Sequence, residues 1–170
     1  MVLRRLLLVL AVALTVGGCG TAEPAAPQSP ASKPAAAAPS SAPTAWTMAQ
    51  ARSRYKAIVA PYNAALETFE DAAHAQTPWR QLRPLAGDVA QAGVVHAKAL
   101  RAGRWPPSVR TPVTELAAET DRAARAWRTA AEARTAAELA DAVHEAVRHD
   151  GSKQAGRIRD LLGLKPYAES

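Results

Sequence analysis

The sequence predicts an all-α protein, an up-down-up-down bundle of four helices that follows a leader and a linker. Across residues 46–170, alanine and arginine dominate, glycine is sparse and runs of β-branched residues are absent, which is a helical composition. Apolar side chains also recur at intervals of seven, the spacing of a helix that packs in a bundle. The first helical segment shows this spacing at Met48, Tyr55, Tyr62 and Phe69.

The first helix is predicted to run from about Thr47 to Ala75. Thr47 and Gln50 form a capping box, in which each side chain binds the backbone N–H of the other residue. Pro61 lies inside this segment and removes one helical hydrogen bond, so we expect a kink between residues 57 and 61. A division into two helices is the alternative.

The second helix is predicted to begin near Thr77, where a proline follows in the first turn, and to end at Gly103. Pro84 is an alternative start. The apolar face of this helix includes His96. A rigid Trp-Pro-Pro turn that begins at Trp105 then leads into the third helix.

The third helix is predicted from about Ser108 to Arg134, and the fourth begins at Thr135. Thr135 and Glu138 form a second capping box there. No glycine or proline separates the two helices. The division depends on the apolar residues, which would fall on different faces before and after this point if one helix continued through it. A break at Gly151 is the alternative, with the third helix running on almost to that residue.

Residues 1–18 have the features of a secretory signal peptide, because two arginines precede an apolar run that is shorter than the ~20 residues of a membrane-spanning helix. The only cysteine, Cys19, follows Gly17 and Gly18 directly. This order resembles a bacterial lipobox, although Val16 stands where leucine is usual. The resemblance implies cleavage between Gly18 and Cys19 and diacylation of Cys19, whose two acyl chains would anchor the protein in the membrane lipid. An ordinary secretory cleavage site is the alternative.

Residues 19–45 are rich in alanine, proline and serine, and their only charged residues are Glu23 and Lys33. Such a segment buries too little apolar surface to offset the entropy of ordering it. We therefore expect a disordered tether, which its prolines extend by up to ~3.1 Å per residue. This tether would separate the helical domain, residues 46–170, from the membrane.

Two patches stand out in the helical domain. The first covers residues 55–66 and includes Pro61 and Asn63, and the second covers residues 155–166. They resemble lipoproteins of high-GC actinobacteria, in which a tyrosine, a proline and an asparagine recur in the first helix and an Arg-x-x-Leu-Gly-Leu-Pro motif closes the chain. Here Lys165 interrupts that motif. The resemblance implies an envelope location and a small helical domain, and it transfers no catalytic residue.

The sequence contains no motif for catalysis or for a bound cofactor. Gly-x-Ser-x-Gly, a glycine-rich phosphate loop and Cys-x-x-Cys-His are all absent. A ferritin-like di-iron site needs two Glu-x-x-His pairs, and the nearest match is the single pair of Asp141 and His144. His96 and His144 would lie roughly 15 Å apart along the bundle, too far to share a metal ion. We therefore expect no metal, no cofactor and no enzymatic activity.

The net charge of the chain is +6, and many basic residues alternate with acids at helical spacing, as on a solvated face. Two groups of basic residues differ from this pattern. One lies around the turn between the second and third helices, at Arg101, Arg104 and Arg110, and the other lies near the end of the last helix, at Arg157 and Arg159. In an up-down bundle both groups lie at the end that carries the tether. We predict a basic surface there that faces anionic lipid or an envelope polymer, with ordinary surface charge as the alternative. Nucleic acid is not an expected partner.

Asn63 and His96 are the candidate polar residues of the core. Asn63 follows Pro61, where a kink leaves a backbone carbonyl without its helical hydrogen bond. The simpler interpretation is that the side-chain amide of Asn63 donates to that carbonyl. Together, these features predict a membrane-anchored, extracytoplasmic, non-catalytic lipoprotein that presents its bundle to an envelope protein or component. The alternative is a small-ligand or metal-binding sensor, which requires a polar cavity around Asn63, Tyr62 and His96.

Overall fold

The computed structural model describes residues 44–165, which form five helices. The helices are α1 (Met48–His74), α2 (Trp79–Ala102), α3 (Pro107–Glu132), α4 (Ala136–Val147) and α5 (Ser152–Leu161). The predicted signal peptide, the cleavage site at Gly18 and Cys19, and most of the predicted tether lie outside the described residues. None of the five helices is long and apolar enough to cross a membrane.

The predicted fold class is confirmed, because the described part of the chain is an all-α bundle whose successive segments run antiparallel. The middle of α1 meets the last third of α2, where the rings of Tyr62 and His96 lie 5.1 Å apart. The second half of α3 packs against the first half of α2, and Arg83 Nε donates to the carbonyl oxygen of Ala131 at 2.9 Å. Both α4 and α5 then pack along α3 in the return direction.

The predicted ends of the first helices agree with the structure. Thr47 and Gln50 form the reciprocal capping box of α1. This helix continues through Pro61, whose ring is exposed, so the alternative of two separate helices is wrong. Helix α2 begins at Trp79 and contains Pro84 in its second turn, so Pro84 is not its start. An exposed proline in a long, packed helix loses one hydrogen bond without ending the helix.

The predicted fourth segment consists of two short helices, because both candidate breaks occur. Thr135 caps α4 by accepting a hydrogen bond from the Glu138 amide at 3.1 Å, while the Glu138 carboxylate accepts from the Arg134 amide rather than from Thr135. The second break is at Gly151, sixteen residues after Thr135, where a left-handed φ of 68° favours glycine. A Cβ atom on Gly151 would also lie 2.6 Å from Leu116 Cδ1.

Two apolar clusters hold the bundle together, one toward each end. We call the end with Trp46, the α2–α3 turn and the end of α5 the near end, and the opposite end the far end. Trp46 N–H donates to the Arg104 carbonyl oxygen at 2.7 Å, and Arg52 Nε donates to the Leu162 carbonyl oxygen at 2.7 Å. These bonds bring the start of α1, the α2–α3 turn and the end of α5 together.

The near-end cluster is built around the indole of Trp105, which packs edge-on against Trp46 and Tyr55 and donates to the Leu100 carbonyl oxygen. This indole occupies the space of a Cβ atom at Gly103, which explains the glycine at the end of α2. Met48, predicted to face the core, is 41% exposed, and Ala51 is buried in that turn of α1. The core of α1 thus begins at Ala51, three residues after the first position of the seven-residue spacing.

The far-end cluster contains Phe69 and Trp127, which meet edge to face at 4.7 Å, together with Leu139 from α4. Both clusters belong to one compact unit. A chain from Ser40 to Ser170 retains every buried residue of the described bundle, so we expect it to fold around a complete core.

Candidate functional site

A pocket of about 250 Å³ opens between α1 and the junction of α4 with α5. It forms because α4 and α5 both pack on α3, and no Cα atom of either helix lies within 8 Å of a Cα atom of α1. Side chains from α2 and α3 form its floor. The residues that line it are Tyr55, Val59, Tyr62, Asn63, Leu66, His96, Leu116, Thr120, Asp150, Ser152, Ala155, Gly156, Arg159 and Asp160.

His96 is the polar residue at the floor of this pocket. Its side chain is only 4% exposed, and neither ring nitrogen has a hydrogen-bond partner. Burial lowers the pKa of His96 from 6.5 to about 4, so the ring is neutral at physiological pH. A neutral imidazole offers one donor and one acceptor, and each buried polar group that stays unpaired costs about 1–3 kcal/mol.

Tyr62 forms the wall next to His96, with the two rings tilted by 33°. The pKa of Tyr62 is raised, chiefly by burial and further by the negative charge of Asp150, while a hydrogen bond with Trp127 acts in the opposite direction. Tyr62 therefore stays protonated. On the floor, the Thr120 hydroxyl donates to the Leu116 carbonyl oxygen at 2.9 Å, which leaves its lone pairs directed away from that bond.

A second cavity of about 210 Å³ continues the first toward the far end. The two cavities share Tyr62, Leu66 and Asp150, and the second is otherwise lined mainly by apolar side chains such as Phe69 and Val143. A third cavity of about 350 Å³ lies on the other side of α1, between α1 and α2, and Tyr62 and His96 line it as well. The two rings thus separate two cavities.

Asn63 and His96, the predicted polar residues of the core, both line the first pocket, but they differ in depth. Asn63 is half-buried, whereas His96 is fully enclosed. Sequence reasoning did not place Thr120, Asp150 or the start of α5 at this site. The break at Gly151 was the available signal, since a helix that stops beside a packed neighbour exposes the residues around the stop.

The five predicted basic residues lie on or beside the near end. Arg104, Arg110 and Arg157 are exposed. Arg101 forms an ion pair with Asp121 and also donates to the Ala117 carbonyl oxygen at 3.3 Å. Arg159 lines the pocket mouth, and its Nε donates to the Lys165 carbonyl oxygen at 2.8 Å. Arg110 also donates to the Trp105 carbonyl oxygen at 3.4 Å. Arg101, Arg110 and Arg159 thus each hydrogen-bond a backbone carbonyl, whereas Arg104 and Arg157 are the remaining exposed members of the group.

The residues weighed as metal ligands do not converge. His144 and Asp141 are exposed on α4. Between residues 44 and 165, no three His, Cys, Asp or Glu side chains lie close enough together to hold a metal ion. A different histidine, His149, bonds Glu119 through Nδ1 at 2.9 Å, and this bond is the main cause of the lowered pKa of Glu119, with Arg122 adding to it.

Comparison of the chain with models of protein families, with curated proteins and with solved structures found no match. The site is therefore defined by its own geometry: a mostly apolar pocket, a neutral buried imidazole at the floor, and charged side chains at the mouth. Such an arrangement binds a small molecule through apolar contact and a few oriented hydrogen bonds.

Proposed function

We propose that the protein is a membrane-anchored, extracytoplasmic lipoprotein, held by an acylated Cys19, whose bundle is non-catalytic and docks its near end on the anionic lipid surface. The lipobox-like sequence supports the anchor. The observation that carries the docking is the separation of charge along the bundle, which distinguishes the near half from the far half.

The near half consists of residues 44–61, 97–120 and 151–165, and it has eleven basic residues against three acidic ones. The basic residues are Arg52, Arg54, Lys56, Lys98, Arg101, Arg104, Arg110, Lys153, Arg157, Arg159 and Lys165, and the acidic ones are Glu115, Glu119 and Asp160. The remaining described residues have seven basic and ten acidic side chains. The bundle is therefore a long dipole with its positive end at Trp46.

The described chain begins at this positive end, since Trp46 is bonded to the α2–α3 turn. A membrane anchor upstream of residue 44 would attach the bundle through its near end and keep that end within reach of the lipid. Each Lys or Arg near an anionic leaflet contributes about 1 kcal/mol, within a Debye length of ~10 Å. A tether also raises the effective concentration of the bundle at the surface, so weak attraction suffices to orient it.

Vesicle co-sedimentation of the chain from Ser40 to Ser170 tests the docking without the anchor. Replacement of Arg104, Arg110 and Arg157 by glutamate should weaken binding to phosphatidylglycerol-containing vesicles at least about thirtyfold, and 0.5 M salt should do the same to the parent chain. The matched control replaces Arg125, Arg128 and Arg134, which are exposed in the far half. Equal loss in both triple variants would show that net charge, not the near end, determines binding.

The pocket beside His96 favours a second candidate function, the binding of a small ligand by the same bundle. A cavity is present beside Asn63, Tyr62 and His96, but most of its walls are apolar, whereas this alternative predicted a polar cavity. The ligand would enter beside the α4–α5 junction and the lipid would meet the near end, with Arg159 as a member of both surfaces.

A further inference from the structure

We propose that the pocket beside His96 binds an apolar small molecule that ends in an uncharged hydrogen-bonding group, with a hydroxyl as the matching chemistry. This inference rests on the second candidate function, the binding of a small ligand, and does not depend on lipid docking. It rests on three features of the site: an unpaired buried ring, apolar walls, and charges that are confined to the mouth.

A molecule bound in the pocket should present a polar group to the floor, where it can hydrogen-bond His96. His96 is almost fully buried, and both of its ring nitrogens lack hydrogen bonds. A hydroxyl is a donor and an acceptor at once, so it can pair with either nitrogen in either tautomer. The lone pairs of the Thr120 hydroxyl on the same floor can accept a second hydrogen bond from such a group.

The rest of the bound molecule should be apolar, because it would contact the apolar walls above this floor. Val59, Leu66, Leu116 and Ala155 line the pocket, and the ring of Tyr62 adds a flat surface. Apolar area removed from water contributes roughly 25 cal/mol per Å², so these walls supply most of the affinity. The adjoining cavity of about 210 Å³ has room for a longer chain.

The position of the charges excludes an ionic group at the floor. The charged residues of the pocket are Asp150, Arg159 and Asp160, which all come from the α4–α5 side and stand at or near the solvent. A carboxylate or an ammonium group beside His96 would lose its hydration without meeting an opposite charge. The neutral state of His96 removes the remaining source of compensation.

The unpaired ring of His96 separates this site from ordinary packing. A histidine that serves only to pack in a bundle normally hydrogen-bonds a backbone carbonyl or another side chain. The His96 ring does neither and lines two cavities instead. The ring is held in this position by Tyr62, whose centroid lies 5.1 Å away.

The test uses three probes with the same alkyl chain: 1-octanol, octanoate and octylammonium. The chain from Ser40 to Ser170 is titrated with each at pH 7, and the imidazole ¹⁵N resonances of its histidines are followed. We expect saturable binding of 1-octanol, at least about tenfold tighter than binding of either ion, with the His96 resonances shifting most.

The variant His96→Leu replaces the imidazole with an apolar side chain of comparable length. It removes an unpaired buried polar group, so the variant should fold. It should bind 1-octanol about tenfold more weakly, the loss of one to two hydrogen bonds. His144→Leu, an exposed histidine away from the pocket, is the matched control and should bind like the parent. Absence of saturable 1-octanol binding, equal affinity for the ions, or unchanged affinity in His96→Leu would each overturn the proposal.

Discussion

The imidazole of His96 and the phenol ring of Tyr62 lie 5.1 Å apart, and neither nitrogen of the imidazole is hydrogen-bonded. This pair forms the partition between the pocket at the α4–α5 junction and the cavity between α1 and α2. Its position makes the bundle sensitive to protonation, because charge on the buried ring has no counter-ion on the floor of either cavity.

The first prediction is a loss of stability on mild acidification. The pKa of His96 is about 4 in the folded chain and 6.5 in the unfolded chain, so the unfolded state binds more protons between these values. The free energy of unfolding should therefore fall by about 3 kcal/mol as the pH is lowered from 6.5 to 4. Urea titrations of the chain from Ser40 to Ser170 at a series of pH values measure it.

The control for this prediction is His96→Leu, which should show a flat profile down to about pH 4.5. Below that, the pKa of Glu119, which His149 and Arg122 hold below 4.5, produces a separate loss that both chains share. A parent profile that matches that of His96→Leu between pH 6.5 and 4.5 would contradict the buried neutral ring.

The second prediction concerns the break between α4 and α5. Gly151→Ala should destabilise the bundle by about 2 kcal/mol, because alanine is strained at a φ of 68° and its Cβ meets Leu116 Cδ1. Gly156→Ala, in the interior of α5 with no atom within 4 Å of the added Cβ, should instead stabilise it by up to about 1 kcal/mol. Thermal unfolding of both variants checks the opposite signs. A neutral Gly151→Ala would mean that α4 and α5 can join.

The third prediction concerns the anchor. Cys19→Ser should release the protein from the membrane fraction, since acylation requires the thiol and two acyl chains supply stable attachment. Residual binding of the released form should be weak and salt-sensitive, because only the basic near end remains to attract lipid. Fractionation of cells at low and high salt measures both effects. A serine variant that stays in the membrane at high salt would contradict acylation at Cys19.

Local sequence signals predicted the helices well, because each operates within a few residues. The capping side chains of Thr47 and Thr135 and the apolar periodicity around Tyr55 act in this way, and the structure confirms them. Whether the chain breaks at Thr135, at Gly151 or at both was harder to decide. Leu116, thirty-five residues earlier in the chain, leaves no room for a Cβ atom at Gly151, and no local pattern records this close approach.

The site was less predictable than the fold. His96 could be placed on an apolar face, but the cavity beside it exists because α4 and α5 both pack along α3 and keep their backbones more than 8 Å from that of α1. The gap between α1 and the α4–α5 segment depends on how both of them pack with α3 in the folded chain. In the sequence, Asp150 is only the neighbour of the candidate break at Gly151, and its place at the pocket mouth follows from the same tertiary arrangement.

The orientation of the bundle on the membrane is the central claim, and quenching by nitroxide-labelled lipid measures it directly. A fluorophore on Ser108→Cys reports from the near end, and one on Ala137→Cys reports from the far end; both positions are exposed. In the acylated full chain on phosphatidylglycerol-containing vesicles, the account predicts strong quenching at residue 108 and little at residue 137. Equal quenching at the two positions, or stronger quenching at residue 137, would contradict it.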